Sequence, residues 1–378
     1  MKIILSILLV FISFSSWSVQ SEEMTTERRL EVYKIYSEFK EINKFGEKVT
    51  IYTEQYGKKP NEKPINNKNL HDLDFIFKDK FNVAAIVQKK DQIGYETYNN
   101  GFDQNTPLNG TSASKTVGAS VIGQLLCDGL IESLDDPMGK YSPSLKETLW
   151  ANISIKNALL MQSGITNGRS DEDDIAWRAK GIHKHYNVGD AIKALQVYKK
   201  PFRDQGVKHN YHVSDSLSLS ILAQDITGMS LGKNFYEKQM LKYSPDGYFH
   251  WMTDHSGRTL SFAELVMTAR EWHRFAKFIY DEMNNKSCLG NFFLEGIENS
   301  IPMGSQGHSD YGYQSRVYDV NNSKILVAHG GGGRYMMLYP EKEIIVTVLS
   351  ISPDYSFANI SKNIEKVLNA IDKTLTKN

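Results

Sequence analysis

The 378-residue chain has no surplus of charge of either sign: 44 Lys and Arg stand against 44 Asp and Glu. A protein that tracks a phosphate backbone carries a basic excess, so nucleic acid is not expected as a partner. It has two cysteines, Cys127 and Cys288, and neither has a His and an acidic residue near it in sequence to suggest a thiol nucleophile. There is no His-Glu-x-x-His, and His183-Lys184-His185 has no ligand partner at helical spacing, so no metal is expected. No internal repeat is present. Past the first residues no apolar run approaches the roughly 20 residues that a spanning helix needs.

What is present begins with Lys2 and the apolar run Ile3–Phe14, followed by Ser16-Trp17-Ser18 with small residues at the positions a signal peptidase reads. This predicts a signal peptide over 1–18, export to the periplasm or medium, and no stable membrane anchor after cleavage. An oxidising compartment permits a disulfide. Cys127 falls in a helical pattern that reads as buried, however, and two inert buried thiols are the expectation.

Residues 19–70 read as an N-terminal helix (Thr26 to Lys44) and a polar Pro/Asn-rich linker. From 71 onward the patterns alternate. Phe81 to Val87 and Ile93 to Tyr98 predict a hairpin. Helices are expected after Ser112, from Ile153 to Met161, from Val188 to Tyr198, from Tyr211 through Ile226, and from Glu264 to Tyr280. Gly312 to Tyr318, Lys324 to Ala328, Arg334 to Tyr339 and Ile344 to Ile351 read as strands, and Ser361 to Leu375 as a closing helix. Strands at both ends with helices between imply one sheet built from the two ends. The α/β lobe is expected at about 71–150 and 305–378, with a helical lobe at about 151–304. The acidic loop Ser170–Asp174 with Trp177 reads either as a solvated loop over one aromatic or as a lid over a pocket.

Ser112 and Lys115 are the chemically suggestive pair. Three residues apart on a helix, they share one face and can share a proton. A helix start also points free N–H groups at whatever sits there. A free lysine, with a pKa of about 10.4, must be desolvated or set beside another cation before it accepts a proton. Gly228-Met229-Ser230-Leu231-Gly232 fits the nucleophile-elbow pattern, but a helix precedes it where that elbow needs a strand. A helix stop at Gly228 and a helix start at Ser230 are expected instead.

Several stretches together resemble the β-lactamase-related serine hydrolases: Ser112-Ala113-Ser114-Lys115-Thr116, Asp128-Gly129-Leu130-Ile131, Leu134-Asp135-Asp136-Pro137, Ile153 to Gly164, Thr268 to Phe275, and the glycine run before Tyr339-Pro340. The resemblance spans roughly Val83 to Ile351, and the ending looks nearest to the 6-aminohexanoate-dimer hydrolases. It implies an α/β (α+β), β-lactamase/transpeptidase-like fold: an antiparallel sheet flanked by helices, with an inserted all-helical subdomain. It also implies an acyl-enzyme on Ser112, with Lys115 and Tyr211 as proton-transfer groups and no cofactor. Tyr243, Tyr248 and Tyr186 are rival tyrosines. The family's Tyr-x-Asn motif falls on Tyr211-His212-Val213, so Val213 replaces the Asn, and Ser214 or Asp215 is the nearest substitute. The third motif falls on His329-Gly330-Gly331. The N–H of Gly331 or Gly332 would complete an oxyanion hole with that of Ser112. His329, Asp215 and Trp177 are candidate substrate contacts.

These departures fit an esterase or short-amide hydrolase. The alternatives are a penicillin-recognising D-alanyl carboxypeptidase or class C-like β-lactamase, and a non-catalytic relative binding peptide or peptidoglycan. The expected partner is a small-molecule ester, amide or peptide.

Overall fold

A computed structural model describes residues 42–44, 47–49, 52–64, 73, 81–166, 179, 189–304, 309–351 and 364–377. The signal segment, most of the N-terminal helix, Tyr186, Trp177 with its acidic loop, and His183-Lys184-His185 lie outside these residues.

Two short strands, β1 (Ile42–Lys44) and β2 (Glu47–Val49), pair with each other. The expected N-terminal helix therefore does not extend over Ile42–Lys44. An eight-stranded antiparallel sheet forms the centre of the α/β part. It contains β4 (Asn82–Lys89), β5 (Gln92–Tyr98), β9 (Ile301–Pro302), β10 (Asp310–Gly312), β11 (Ser315–Val320), β12 (Ser323–Gly330), β13 (Arg334–Tyr339) and β14 (Ile344–Ser350), in the order β5-β4-β14-β13-β12-β11-β10-β9. The two ends of the chain meet where β14 pairs with β4, Val346 opposite Val87. Every residue of β14 is buried. A strand covered on both faces reads as a continuous apolar run, which is why Ile344-Ile345-Val346 does not alternate.

A second sheet was not expected from the sequence. It joins β3 (Tyr52–Tyr56), β7 (Phe249–Thr253), β8 (Leu265–Thr268) and β6 (Pro107–Asn109) in the order β3-β7-β8-β6. Part of the expected N-terminal region 19–70 is thus an edge strand, and the region between the two halves of the α/β lobe is not wholly helical. Beyond β3, Glu62 accepts from Arg270 at 2.8 Å and from Arg274 at 2.7 and 2.9 Å, and Arg270 also donates to Glu96 at 2.7 Å. Composition marks 58–64 as a loop; these ion pairs fix it to the main body.

Among the described residues the α-helices of five residues or more are α1 (Ser114–Cys127), α2 (Ile155–Leu159), α3 (Ala191–Leu195), α4 (Val213–Thr227), α5 (Leu231–Phe235), α6 (Ala269–Asn284), α7 (Cys288–Glu298) and α8 (Ile364–Lys377). The pattern from Glu264 to Tyr280 divides into β8 and then α6. Thr268 makes the break: its hydroxyl caps the helix by accepting from the Glu271 N–H at 3.1 Å. Gly228 ends α4 in a left-handed conformation, and Ser230 caps α5 by accepting from the Lys233 N–H at 3.1 Å. Those are the stop and start read from the sequence in place of an elbow.

Two apolar layers result. One, between the large sheet and α1, α4, α6 and α7, holds Trp150, Trp251 and Trp272, all fully buried. The other packs Val87, Val327, Tyr335, Met337 and Val346 under Ile364, Leu368 and Ile371 of α8. The cysteines are not free buried thiols: Cys127 and Cys288 form a disulfide that joins the end of α1 to the start of α7. Cys127 is half-buried and Cys288 exposed, because α1 reaches solvent in its last turn. Among the described residues no helix is long and apolar enough to cross a membrane.

Candidate active site

Ser112 lies on the 3-10 turn Thr111–Ala113 that feeds α1, not within the helix itself. Its hydroxyl caps neither element. Instead it accepts from Lys115 Nζ at 3.1 Å. Lys115 is 2% exposed, and its ammonium also donates to the Phe262 carbonyl at 2.5 Å. The same ammonium sits 4.9 Å from the centroid of the Tyr211 ring. A cation over an aromatic face is attracted by the ring quadrupole. One turn of sequence thus supplies the serine–lysine pair, and a residue almost 100 positions away supplies the phenol.

Tyr211 stands two residues before α4, whose cap is His212. It belongs to a small apolar cluster with Met161, Met303 and Tyr311, and Tyr311 meets it edge-on at 5.9 Å. The segment leading to it lies along residues 160–166: the Asn210 N–H donates to the Met161 carbonyl at 2.8 Å, and Asn210 Nδ2 to Thr166 Oγ1 at 2.6 Å. The Arg316 guanidinium carbon lies 5.9 Å from the Tyr211 ring, a second cation near the phenol. Of the rival tyrosines, Tyr243 stacks on Phe278, and burial beside Glu271 raises its pKa well above the usual tyrosine range.

The glycine run lies against the turn that carries Ser112. A Cβ on Gly330 would fall 2.1 Å from the Gly110 carbonyl, so only glycine permits this approach. The Gly331 carbonyl accepts from Thr111 Oγ1 at 3.3 Å and from the Arg334 guanidinium. Gly332 and Gly333 follow at φ +82° and +86°. Gly110 is required for a different reason: a Cβ there would meet the Trp272 ring at 2.2 Å.

Two expected substrate contacts are placed elsewhere. His329 pairs with Tyr335 across β12 and β13, and the rings stack at 4.8 Å. That register puts it on the face under α8, while Gly330, one residue on, faces Gly110 and Thr111. Strand alternation makes the two positions mutually exclusive. Asp215, on the first turn of α4, accepts from Trp150 Nε1 at 2.8 Å and bonds Ser163. Burial pushes its carboxyl up to about 7, against the lowering effect of those bonds. Ser214 does not replace the missing Asn either; its hydroxyl bonds His212 Nδ1 at 2.6 Å.

Sequence reasoning missed the segment 262–265. Its backbone holds Lys115 through the Phe262 carbonyl, Ser114 through the Leu265 N–H and Gly110 through the Leu265 carbonyl. Backbone contacts leave no side-chain signature. Glu264 was the available signal, an acid within the apolar run Leu260 to Met267.

A serine on a turn laid over the end of a sheet, with a buried lysine bonded to it, is the arrangement expected from the resemblance to β-lactamase-related serine hydrolases. A family profile described as Beta-lactamase matches residues 78–365, and the chain belongs to that family of serine hydrolases. Among curated proteins it is similar to the teichoic acid D-alanine hydrolase of Staphylococcus aureus, 30% identical over 152 residues, which is 38% of this chain and 33% of that protein. The matched stretch is therefore about a third of the length of that relative. Among solved structures, one assigned as a 6-aminohexanoate-dimer hydrolase from Bacillus anthracis superposes with a TM-score of 0.77 at 19% identity, covering 97% of this chain and 98% of that one. A family VIII carboxylesterase gives 0.61 at 14% identity, covering 80% and 95%. A D-stereospecific amidohydrolase from Streptomyces sp. gives 0.53 at 17%, covering 76% and 93%. At these identities the likeness shows a shared fold.

Proposed function

We propose that this enzyme is an exported hydrolase that cleaves a carboxylic ester or short amide through an acyl-enzyme on Ser112. The observation that carries the reading is the single ammonium of Lys115, bonded to Ser112 Oγ and poised over Tyr211. Ser112 Oγ attacks the carbonyl and its proton passes into the Lys115–Tyr211 pair. Two routes fit: a neutral Lys115 accepts directly, or a charged Lys115 favours the phenolate of Tyr211, which then accepts. The oxyanion sits between the N–H groups of Ser112 and of Gly331 or Gly332. Collapse expels the alcohol or amine, which takes the proton, and water releases the acid by the reverse route.

Ester substrates are favoured over acyl-D-alanine amides. Val213 is buried where the family's Asn would bind a substrate amide, and the neighbouring polar side chains Ser214 and Asp215 have other partners. The similarity to a teichoic acid D-alanine hydrolase makes a D-alanyl ester the first compound to test. The Ile3–Phe14 run and the disulfide support export.

The test is labelling with a fluorophosphonate probe, followed by a panel of p-nitrophenyl esters, a D-alanyl ester, a linear 6-aminohexanoate amide and a fluorescent penicillin. Labelling at Ser112 with turnover of esters is the expected result. Absence of labelling in the folded protein would overturn the reading. Stable penicillin labelling without ester turnover would replace it with a carboxypeptidase.

A further inference from the structure

Glu264 is a glutamate at φ +70°, buried, one residue before β8. Few side chains adopt that backbone conformation, and a buried carboxyl there needs a compensating contact. Its Oε2 accepts from Asn109 Nδ2 at 3.0 Å. Asn109 is fully buried on β6, and its Oδ1 accepts from the Thr111 N–H at 2.7 Å. Thr111 itself has φ +47°, strained for a β-branched residue, immediately before Ser112.

An amide side chain can face either way round. A carboxyl oxygen accepting from Asn109 Nδ2 fixes the choice, because it leaves Oδ1 for Thr111; the reverse orientation would set an NH2 against an N–H. On the far side of the turn, Thr111 Oγ1 and Arg334 both donate to the Gly331 carbonyl.

We propose that Glu264 is a positioning residue: through Asn109 it holds the left-handed turn at Thr111, and so aims the hydroxyl and N–H of Ser112 where that turn meets the glycine run. The inference rests on the Ser112 reading given above. Among the described residues the charged group acting on Glu264 is Arg334 of β13; Lys115 of α1 bonds the Phe262 carbonyl, two residues before Glu264 in sequence. Burial raises the carboxyl to about 8, with Arg334 pulling it down. At neutral pH the group is mainly protonated and still accepts from Asn109. As pH rises through 8 it ionises, and the new charge acts on the Arg334 guanidinium that donates to the Gly331 carbonyl, so turnover is expected to fall.

The experiment compares E264G with E264Q. Glycine suits φ +70° and removes the acceptor without stressing the backbone. Glutamine keeps an acceptor but cannot ionise. In E264G, kcat on a p-nitrophenyl ester is expected to fall on the order of tenfold with KM within about twofold, since misplacement by a fraction of an ångström has costs of that size. E264Q is expected to restore kcat at pH 7 and to lack the limb near pH 8 in the kcat profile. Wild-type kcat and an unchanged profile in E264G overturn the proposal, as does an equal fall in both variants that tracks lost melting temperature. Fluorophosphonate labelling separates the two readings. A labelled wild type with an unaffected E264G refutes the role of Glu264 alone, whereas an unlabelled wild type refutes the Ser112 reading and this inference with it.

Discussion

Asp215 and Glu264 are both buried carboxyls held above the ordinary carboxylate range by burial, and they serve different regions of the molecule. Asp215 ties α4 to Trp150 and Ser163 inside the helical part. Glu264 ties β8 to the amide of Asn109, which bonds the Thr111 N–H just before Ser112. Burial and a raised pKa are shared, so neither property identifies a functional acid. What separates the two is whether the partner touches the residues before Ser112.

The comparison can be broken in order of expected effect. Ser112→Ala sets the chemical scale: acylation should fall by at least about 10⁴-fold, with the melting temperature within a few degrees by calorimetry. Reduction of Cys127–Cys288, or its replacement by serines, sets the stability scale. The bridge spans 161 residues of sequence, and closing a loop of that length contributes about 3–5 kcal/mol in a chain-entropy account. Because it anchors the end of α1 far from Ser112, urea midpoints should fall while kcat of the folded enzyme holds.

Asp215→Ala should behave like the disulfide and not like Ser112→Ala. It leaves Trp150 Nε1 buried without its acceptor, which costs about 1–3 kcal/mol, with kcat/KM of the folded fraction within a few-fold of wild type. Loss of activity at unchanged stability would erase the distinction between the two carboxyls.

The smallest effect is a pH slope. The folded pKa of Asp215, about 7, exceeds its unfolded value, so the native state holds a proton that the unfolded chain has released. The associated stability is fully present below about pH 4 and is lost as pH rises through 7, by about 1 kcal/mol between pH 6 and 7. Asp215→Asn should abolish that slope in urea titrations. His273, buried between Thr347 and Gln88 and lowered to about 3 by burial, contributes the opposite slope. Its neutral form is stabilising above about 6.5, and that stability is lost as pH falls toward 3.

By itself the sequence determined the local half of this enzyme. Ser112 and Lys115 meet because a helical turn brings residues three apart onto one face. The Gly228 stop and the Ser230 cap follow from their own backbone and hydroxyl chemistry, and β14 from an unbroken apolar run. Tertiary structure decided everything that depends on a neighbour distant in sequence. The second sheet needs β3, β6, β7 and β8 from three separated stretches, none strongly alternating. His329 faces α8 because the β12–β13 register fixes its side, and a shift of one residue would reverse it. Cys127 pairs with Cys288 because the end of α1 lies beside the start of α7, which no periodicity within α1 could foretell. Lys115 is gripped by a backbone carbonyl and the Ser112 turn by a carboxyl acting through an amide. Contacts of that kind exist only once the chain has folded, since they depend on position and leave no pattern in the residue types.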